Sequence, residues 1–187
     1  MKNAAWLIGI LIVVIIILSW YVNGLNRVVR LNEQVNGSWA QVEAQLQRRN
    51  DLVPNLVETV KGYAKHESSL FEEVTKLRSG WTGATTTEGK IENAKAMTGA
   101  ISRLLLVAEN YPQLRASENF QTLQAQLEGT ENRIAVERQR YNESVRAFNT
   151  YIREVFGKFF AKRRGLDKPG VYFEAEAGAK EVPEVKF

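Results

Sequence analysis

The stretch "WAQVEAQLQRRNDLVPNLVETVKGY", Trp39–Tyr63, decides the fold because its apolar side chains recur at alternating steps of three and four residues. Such a repeat places one apolar face along an α-helix that packs against other helices. The same face extends back to Leu25 and forward to Leu77. Its members include Trp39, Val42, Leu46, Val53, Leu56, Val60, Tyr63, Leu70, Val74 and Leu77. The pattern predicts one continuous helix that ends near Ser79.

Two of the twelve positions from Trp39 to Leu77 on this face are not apolar, Arg49 and Glu67, and a proline lies within the same predicted helix. Pro54 removes a backbone hydrogen-bond donor and crowds the carbonyl of Asn50, so we expect a kink or bulge there. Asn50, Asp51 or water would then bond the freed backbone groups. Arg49 occupies an apolar position, and we expect it to pair with an acidic residue of another helix, such as Glu137.

The N-terminal run "AAWLIGILIVVIIILSWYV", Ala4–Val22, is nineteen residues long and carries no charge. That length crosses a hydrocarbon core, and aromatic residues lie near both ends of the run. A cleaved signal peptide is the competing hypothesis, but it needs a shorter apolar core and small residues at its cleavage site. The run therefore favours an uncleaved anchor. The residues expected within the membrane include Trp6, Leu7, Ile8, Ile10, Val14, Ile17, Trp20 and Tyr21.

The charges that flank the anchor favour one orientation. Lys2 lies before it, and Arg27 and Arg30 lie after it, so the positive-inside rule favours a cytoplasmic location for the rest of the chain. We divide the chain into an anchor at 1–25, a helical bundle at 26–157, and a basic aromatic segment with an extended tail at 158–187.

The remainder of the bundle is also predicted to be helical. "GWTGATTTEGK", Gly80–Lys90, is predicted to be a loop whose Trp81 either packs back on the bundle, which we favour, or stays exposed. Helices are predicted over Ile91–Asn110 and, after an N-cap at Ser117, over Glu118–Phe156. The last helix is the more polar, which predicts that the first helix is only partly covered within one chain. The tail after residue 170 is either an extended strap along the bundle or loose.

Composition argues against most chemistry. The chain has no cysteine and one histidine, His66, whose helical neighbours include no carboxylate or second histidine. No phosphate-binding or nucleophile motif is present. We therefore expect no enzyme, cofactor or metal; a hydrolase that uses His66 is the minor alternative. The net charge of +4 is concentrated near the C-terminus rather than spread over a face, so nucleic-acid binding is not expected.

The basic segment "GKFFAKRRGLDK", Gly157–Lys168, combines cations with two phenylalanines. One interpretation is a helix on an anionic membrane surface, with its rings in the interface. The other is a frayed helix end whose cations are favoured by the helix dipole. The candidate contact residues are Lys158, Phe159, Phe160, Lys162, Arg163 and Arg164. The segment would lie near its own bilayer if the first helix folded back at Pro54, and far from it if the helices simply ran out, back and out.

Three blocks resemble the LemA family of bacterial membrane proteins: "RRNDLVPNLVETVKGYAKHESSLFEEVTKLRS", "ENYPQLRASENFQTLQAQLEGTENRIAVERQRYNESVRAFNT" and the ending "YFEAEAGAKEVPEVKF". The resemblance implies a single N-terminal transmembrane helix that carries an antiparallel helical bundle. It also implies a cytoplasmic bundle and no established enzymatic activity.

We therefore expect an all-α protein in which the transmembrane helix continues into a long-helix, coiled-coil-like antiparallel bundle. The expected function is a non-enzymatic scaffold in the bacterial cytoplasmic membrane, in contact with lipid and with copies of itself. The alternative is a signalling or regulatory adaptor that recruits another membrane protein or an enzyme.

Overall fold

The computed structural model describes residues 2–64 and 66–174, which form six α-helices and no β-strand. The predicted all-α class, with an apolar N-terminal helix that continues into a helical bundle, is confirmed. The helices are α1 (Lys2–Lys61), α2 (Ser68–Gly83), α3 (Thr87–Glu109), α4 (Pro112–Arg115), α5 (Glu118–Tyr151) and α6 (Val155–Arg164).

The chain divides into two compact units. Of the described residues, the first unit comprises 2–39 and 140–172, and the second comprises 40–64, 66–139 and 173–174. The core of the first unit joins α1, α5 and α6, and its partly buried border includes Val35 and Leu166. Its buried members are Val28, Phe148, Tyr151, Ile152 and Ala161.

The core of the second unit is built from the apolar face that the sequence predicted. Val42, Leu46, Val53, Leu56 and Val60 are buried, because a helix brings residues three and four apart onto one face. The apolar faces of α2, α3 and the first part of α5 pack against Val53, Leu56 and Val60 in one cluster. These helices contribute Leu70, Phe71, Val74, Met97, Ala100, Ile101, Leu104, Ala108, Phe120 and Leu127.

The first helix ends earlier than predicted, at Lys61 rather than near Ser79. After Gly62 the bonding tightens: Tyr63 N donates to Val60 O at 3.0 Å, and Ala64 N to the same oxygen at 2.9 Å. Glycine favours this ending, because it costs about 1 kcal/mol relative to alanine inside a helix. The apolar spacing resumes in α2 without a change of phase, so the spacing alone could not reveal the break.

The predicted loop Gly80–Lys90 is mostly helical. α2 continues through Gly83, and α3 begins at Thr87 behind an N-cap in which Gly89 N donates to Thr86 Oγ1 at 3.1 Å. Trp81 packs back as favoured: it is buried, and its Nε1 donates to Gln47 Oε1 at 3.0 Å.

The predicted third helix, Glu118–Phe156, is in fact two helices. It begins as expected, with Phe120 N donating to Ser117 Oγ at 3.3 Å, but α5 ends at Tyr151 and α6 starts at Val155. The first turn of α6 requires a glycine, because it lies against the end of α5. A Cβ added to Gly157 would lie 1.8 Å from the carbonyl oxygen of Tyr151.

The segment after α6 is an extended strap over residues 170–174, without a strand in that segment. In the first unit, Gly170 N donates to Asn149 Oδ1 at 2.8 Å, and Asn149 Nδ2 donates to Gly170 O at 2.9 Å. In the second unit, Phe173 is buried beneath the Arg138 guanidinium, 4.1 Å from the ring centre. The rest of the predicted tail, 175–187, lies outside the described residues.

Candidate functional site

The apolar run of α1 is exposed along its length. Of the eight predicted spanning residues, seven are exposed and Tyr21 is half-buried. Within the described residues, α1 is the one helix long and apolar enough to cross a membrane, and no residue of its most apolar window is buried. A core helix of a soluble protein would be covered by other helices, whereas this surface fits a bilayer.

The helix α6 packs against α1 where this apolar run ends. The Phe160 ring is buried, with its centre 5.2 Å from that of Trp20 and 5.8 Å from that of Tyr21. Gly24 provides the space for it, because a Cβ there would lie 2.2 Å from the Phe160 ring. The basic segment therefore lies beside its own anchor. Neither alternative drawn from the sequence gives this arrangement, because α1 remains helical through Pro54 and the segment still lies beside the anchor.

The outer face of α6 is apolar in part. Val155, Phe156 and Phe159 are 83%, 62% and 46% exposed. The ring centre of Phe156 lies 5.2 Å from that of Trp20. An exposed apolar face on a short helix points to a surface that contacts something other than water.

The C-terminal end of α6 is well formed, so the frayed-end interpretation is wrong on that point. Gly165 has φ +66°, Gly165 N donates to Lys162 O at 3.3 Å, and Leu166 N donates to Ala161 O at 2.9 Å. These two bonds form a Schellman motif, which closes a helix end. The last turn carries Lys162, Arg163 and Arg164, all exposed.

The last residue of α5, Tyr151, contacts α1 just after the apolar run. The Tyr151 hydroxyl donates to the carbonyl oxygen of Gly24 at 3.2 Å, and the Arg27 guanidinium lies 4.8 Å from the ring centre. Burial raises the pKa of Tyr151, and the positive charge of Arg27 partly opposes the rise.

A buried polar group lies in the second unit. Arg49 is 1% exposed; its Nη1 donates to Thr98 Oγ1 at 2.9 Å and to Glu131 Oε1 at 3.1 Å, and its Nη2 donates to Ala94 O at 2.9 Å. The expected pair of Arg49 with an acidic residue of another helix is present, but the carboxylate is that of Glu131 rather than Glu137, the example named from the sequence. The helical register between two elements sets such a pair, and apolar spacing within one element does not specify it.

The residues assigned to the Pro54 kink behave differently from expectation. The side-chain amide atoms of Asn50 are buried and make no hydrogen bond to the described residues, and Asp51 accepts from Gln47 Nε2 at 2.8 Å. Neither side chain bonds the backbone groups that Pro54 frees. The kink itself stays a prediction.

The histidine that the sequence singled out is exposed in the turn before α2. Among residues 2–64 and 66–174, no group of three or more His, Asp or Glu side chains is placed to hold a metal ion. Sequence reasoning missed the contact of α6 with α1. Its available signal was Gly24, where α6 approaches α1 closely.

These features define a class: an all-α protein whose exposed apolar helix continues into a helical bundle, with an aromatic and basic helix beside the end of that apolar run. The chain matches the model of the LemA family over residues 38–187 and belongs to that family. The resemblance drawn from the three sequence blocks is thereby confirmed. Family membership and the apolar helix together indicate a membrane-associated protein.

Similar proteins carry magnetosome names. They include Magnetosome protein MamQ 1 and MamQ 2 of Paramagnetospirillum magneticum and Magnetosome protein MamQ of Magnetospirillum gryphiswaldense. Each is 25% identical over 82% of this chain. The chain spans 66% of the length of each relative, just under two thirds. None of these names denotes an enzyme.

Proposed function

We propose that this LemA-family protein is a non-enzymatic scaffold, held in the bacterial cytoplasmic membrane by α1, that associates with copies of itself. One observation carries the proposal: α1 is a single helix, Lys2–Lys61, that includes both the exposed apolar run and a core element of the second unit. The second unit therefore folds on the same helix that carries the anchor. The anchor therefore holds the surface of the bundle at the membrane, where other proteins can bind it.

The expectation that α1 is only partly covered within one chain is wrong for most of its apolar face. The face residues Val42, Leu46, Val53, Leu56 and Val60 are buried within the chain itself. Trp39, on the same face, packs on Tyr141 with ring centres 5.3 Å apart. Tyr63, just after α1, stays 43% exposed. Support for self-association therefore has to come from another surface.

That surface is an open groove of about 620 Å³ between the end of α1 and α2. Its floor includes the apolar side chains Val57 and Phe71. Charges of both signs line it, namely Glu58, Lys61, Glu72 and Lys76. A twofold axis places the same patch of two copies face to face, so each copy offers cations to the acids of the other. The exposed Tyr63 adjoins the groove in sequence and is the ring that a second copy would supply.

Site-specific crosslinking in native membranes tests this proposal. The chain has no cysteine, so Ser68→Cys places a single thiol in the groove. A bifunctional maleimide should give a dimer with this variant and little with Ala125→Cys, an exposed position of α5 outside the groove. A purely monomeric product at Ser68 would contradict self-association. Capture of a different protein at fixed ratio, without self-capture, would instead support the adaptor.

The cytoplasmic location of the bundle is part of the proposal. Arg27 and Arg30 follow the anchor, whereas Lys2 alone precedes it. A C-terminal epitope tag should resist protease in intact spheroplasts and be lost after lysis. Digestion before lysis would place the bundle on the other side.

A further inference from the structure

We infer that α6 is a second membrane contact, an interfacial helix that binds the headgroups of anionic phospholipids beside the protein's own anchor. The inference rests on the anchor of the proposed function but not on self-association. The depth of α6 follows from its neighbours. Trp20 and Tyr21 end the apolar run, and rings at such positions lie at the membrane–water interface. Phe156 and Phe160 pack against Trp20, so α6 lies at the same depth.

The packing of α6 on α1 is close enough to define this depth. A Cβ on Gly24 would come within 2.2 Å of the Phe160 ring. A Cβ on Gly157 would come within 1.8 Å of the Tyr151 carbonyl oxygen. Gly24 therefore leaves room for α6 to lie against the end of the apolar run, where a larger residue would displace it, and Gly157 leaves room for the first turn of α6 to lie against the end of α5.

The outer face of α6 has the pattern of an interfacial helix. At about 100° per residue, Val155, Phe156 and Phe159 project within about 100° of one another. Lys158 and Lys162 project to one side of that arc, and Arg163 projects within it, from the last turn of the helix. The three apolar side chains are exposed to solvent in the chain itself. At the boundary of headgroups and acyl chains, the same rings would be covered by lipid while the cations reach the headgroup phosphates.

The cations of α6 are available for such phosphates. Within the described residues, Lys158, Lys162, Arg163 and Arg164 are exposed and form no ion pair. The Arg163 guanidinium lies 5.8 Å from the Phe159 ring centre, which leaves its charge on the outer surface. Asp167 is the one acidic residue in the segment 158–168.

The helix dipole does not account for this composition. It favours the cations of the last turn, Lys162, Arg163 and Arg164. It disfavours a cation near the start of a helix, where Lys158 lies, and it has no bearing on exposed Val155 and Phe156. An anionic membrane surface accounts for all of these residues together.

Lipid-specific quenching tests the inference in the full chain. Val155→Cys carries one bimane label, and the protein is placed in nanodiscs of phosphatidylcholine and phosphatidylglycerol. A nitroxide near the top of an acyl chain is carried by either lipid at the same mole fraction. The phosphatidylglycerol nitroxide should quench about fivefold more than the phosphatidylcholine nitroxide, the factor expected for one cation near an anionic surface. Equal quenching would overturn the anionic preference, and no quenching would overturn the membrane contact.

Two controls make the result specific. A label at Val14→Cys, near the middle of the apolar run, should be quenched equally by both lipids when the nitroxide lies near the end of the acyl chain. If it is not quenched at all by that deeper nitroxide, the anchor of the proposed function fails too. Changing the four cations of α6 to glutamine should bring the quenching ratio at residue 155 to about one. The same change at four exposed arginines of the second unit should leave the ratio as it was, and a matching fall there would contradict the inference. Those control positions are Arg48, Arg78, Arg115 and Arg133.

Discussion

Replacing Arg49 tests the buried polar group of the second unit. The Arg49→Ala change removes a side chain that is 1% exposed and three hydrogen bonds made by its guanidinium. The former partners of the Arg49 guanidinium do not all become unsatisfied buried polar groups. Ala94 O still accepts from Thr98 Oγ1 at 3.0 Å, and the Glu131 side chain is 39% exposed and can be hydrated. We therefore expect Arg49→Ala to lower the free energy of unfolding by about 3 kcal/mol, which is at the lower end for a broken buried ion pair.

Matched variants separate charge from volume. Arg49→Met keeps most of the aliphatic part of the side chain and removes the cost of burying a cation. The free energy of unfolding should therefore fall by about 1 kcal/mol or less. Glu131→Gln should also cost about 1 kcal/mol or less, because its partly exposed carboxylate resembles one in a surface pair. Guanidinium chloride unfolding of the full chain in mild detergent, followed by circular dichroism, measures the differences. A loss for Arg49→Ala below that for Arg49→Met would refute the burial of the guanidinium.

The remaining predictions concern the first unit. Gly24→Ala should weaken the docking of α6, because its Cβ meets the Phe160 ring at 2.2 Å, and faster tryptic cleavage in α6 would report it. As a control, the Cβ of Gly37→Ala on the same helix meets nothing within 4 Å, and this variant should stabilise the fold by about 0.5–1 kcal/mol. Equal rates of tryptic cleavage in the two variants would count against the contact between Gly24 and Phe160. Burial raises the pKa of Tyr151, so the folded state retains the proton and its free energy of unfolding should fall as pH rises above about 10. Denaturant titrations from pH 9 to 11 should show a smaller fall for Tyr151→Phe, and an identical fall would contradict the assignment.

Apolar spacing predicted the buried face of α1 well, because that face depends on positions within one helix. Val42, Leu46, Val53, Leu56 and Val60 are all buried as expected. The same rule could not locate the break after Lys61, since Leu70 and Val74 continue the spacing in α2. Gly62 was the local signal for that break.

The candidate site was less predictable because it depends on how distant segments meet. The aromatic and basic composition of α6 was evident in the sequence, but its contact with Trp20 and Tyr21 depends on the register at which α5 returns to α1. The partner of Arg49 depends on register in the same way. In both cases the residue types were identified correctly and the pairing was set by tertiary packing.

The central claim is that one uncleaved helix serves both as membrane anchor and as part of the bundle core. Intact mass spectrometry of the protein from alkaline-washed membranes tests it most directly. We expect a product that retains the apolar run and stays in the membrane pellet; residues 1–187 together have a mass of 21.2 kDa. A soluble product that begins after Val22 would contradict it.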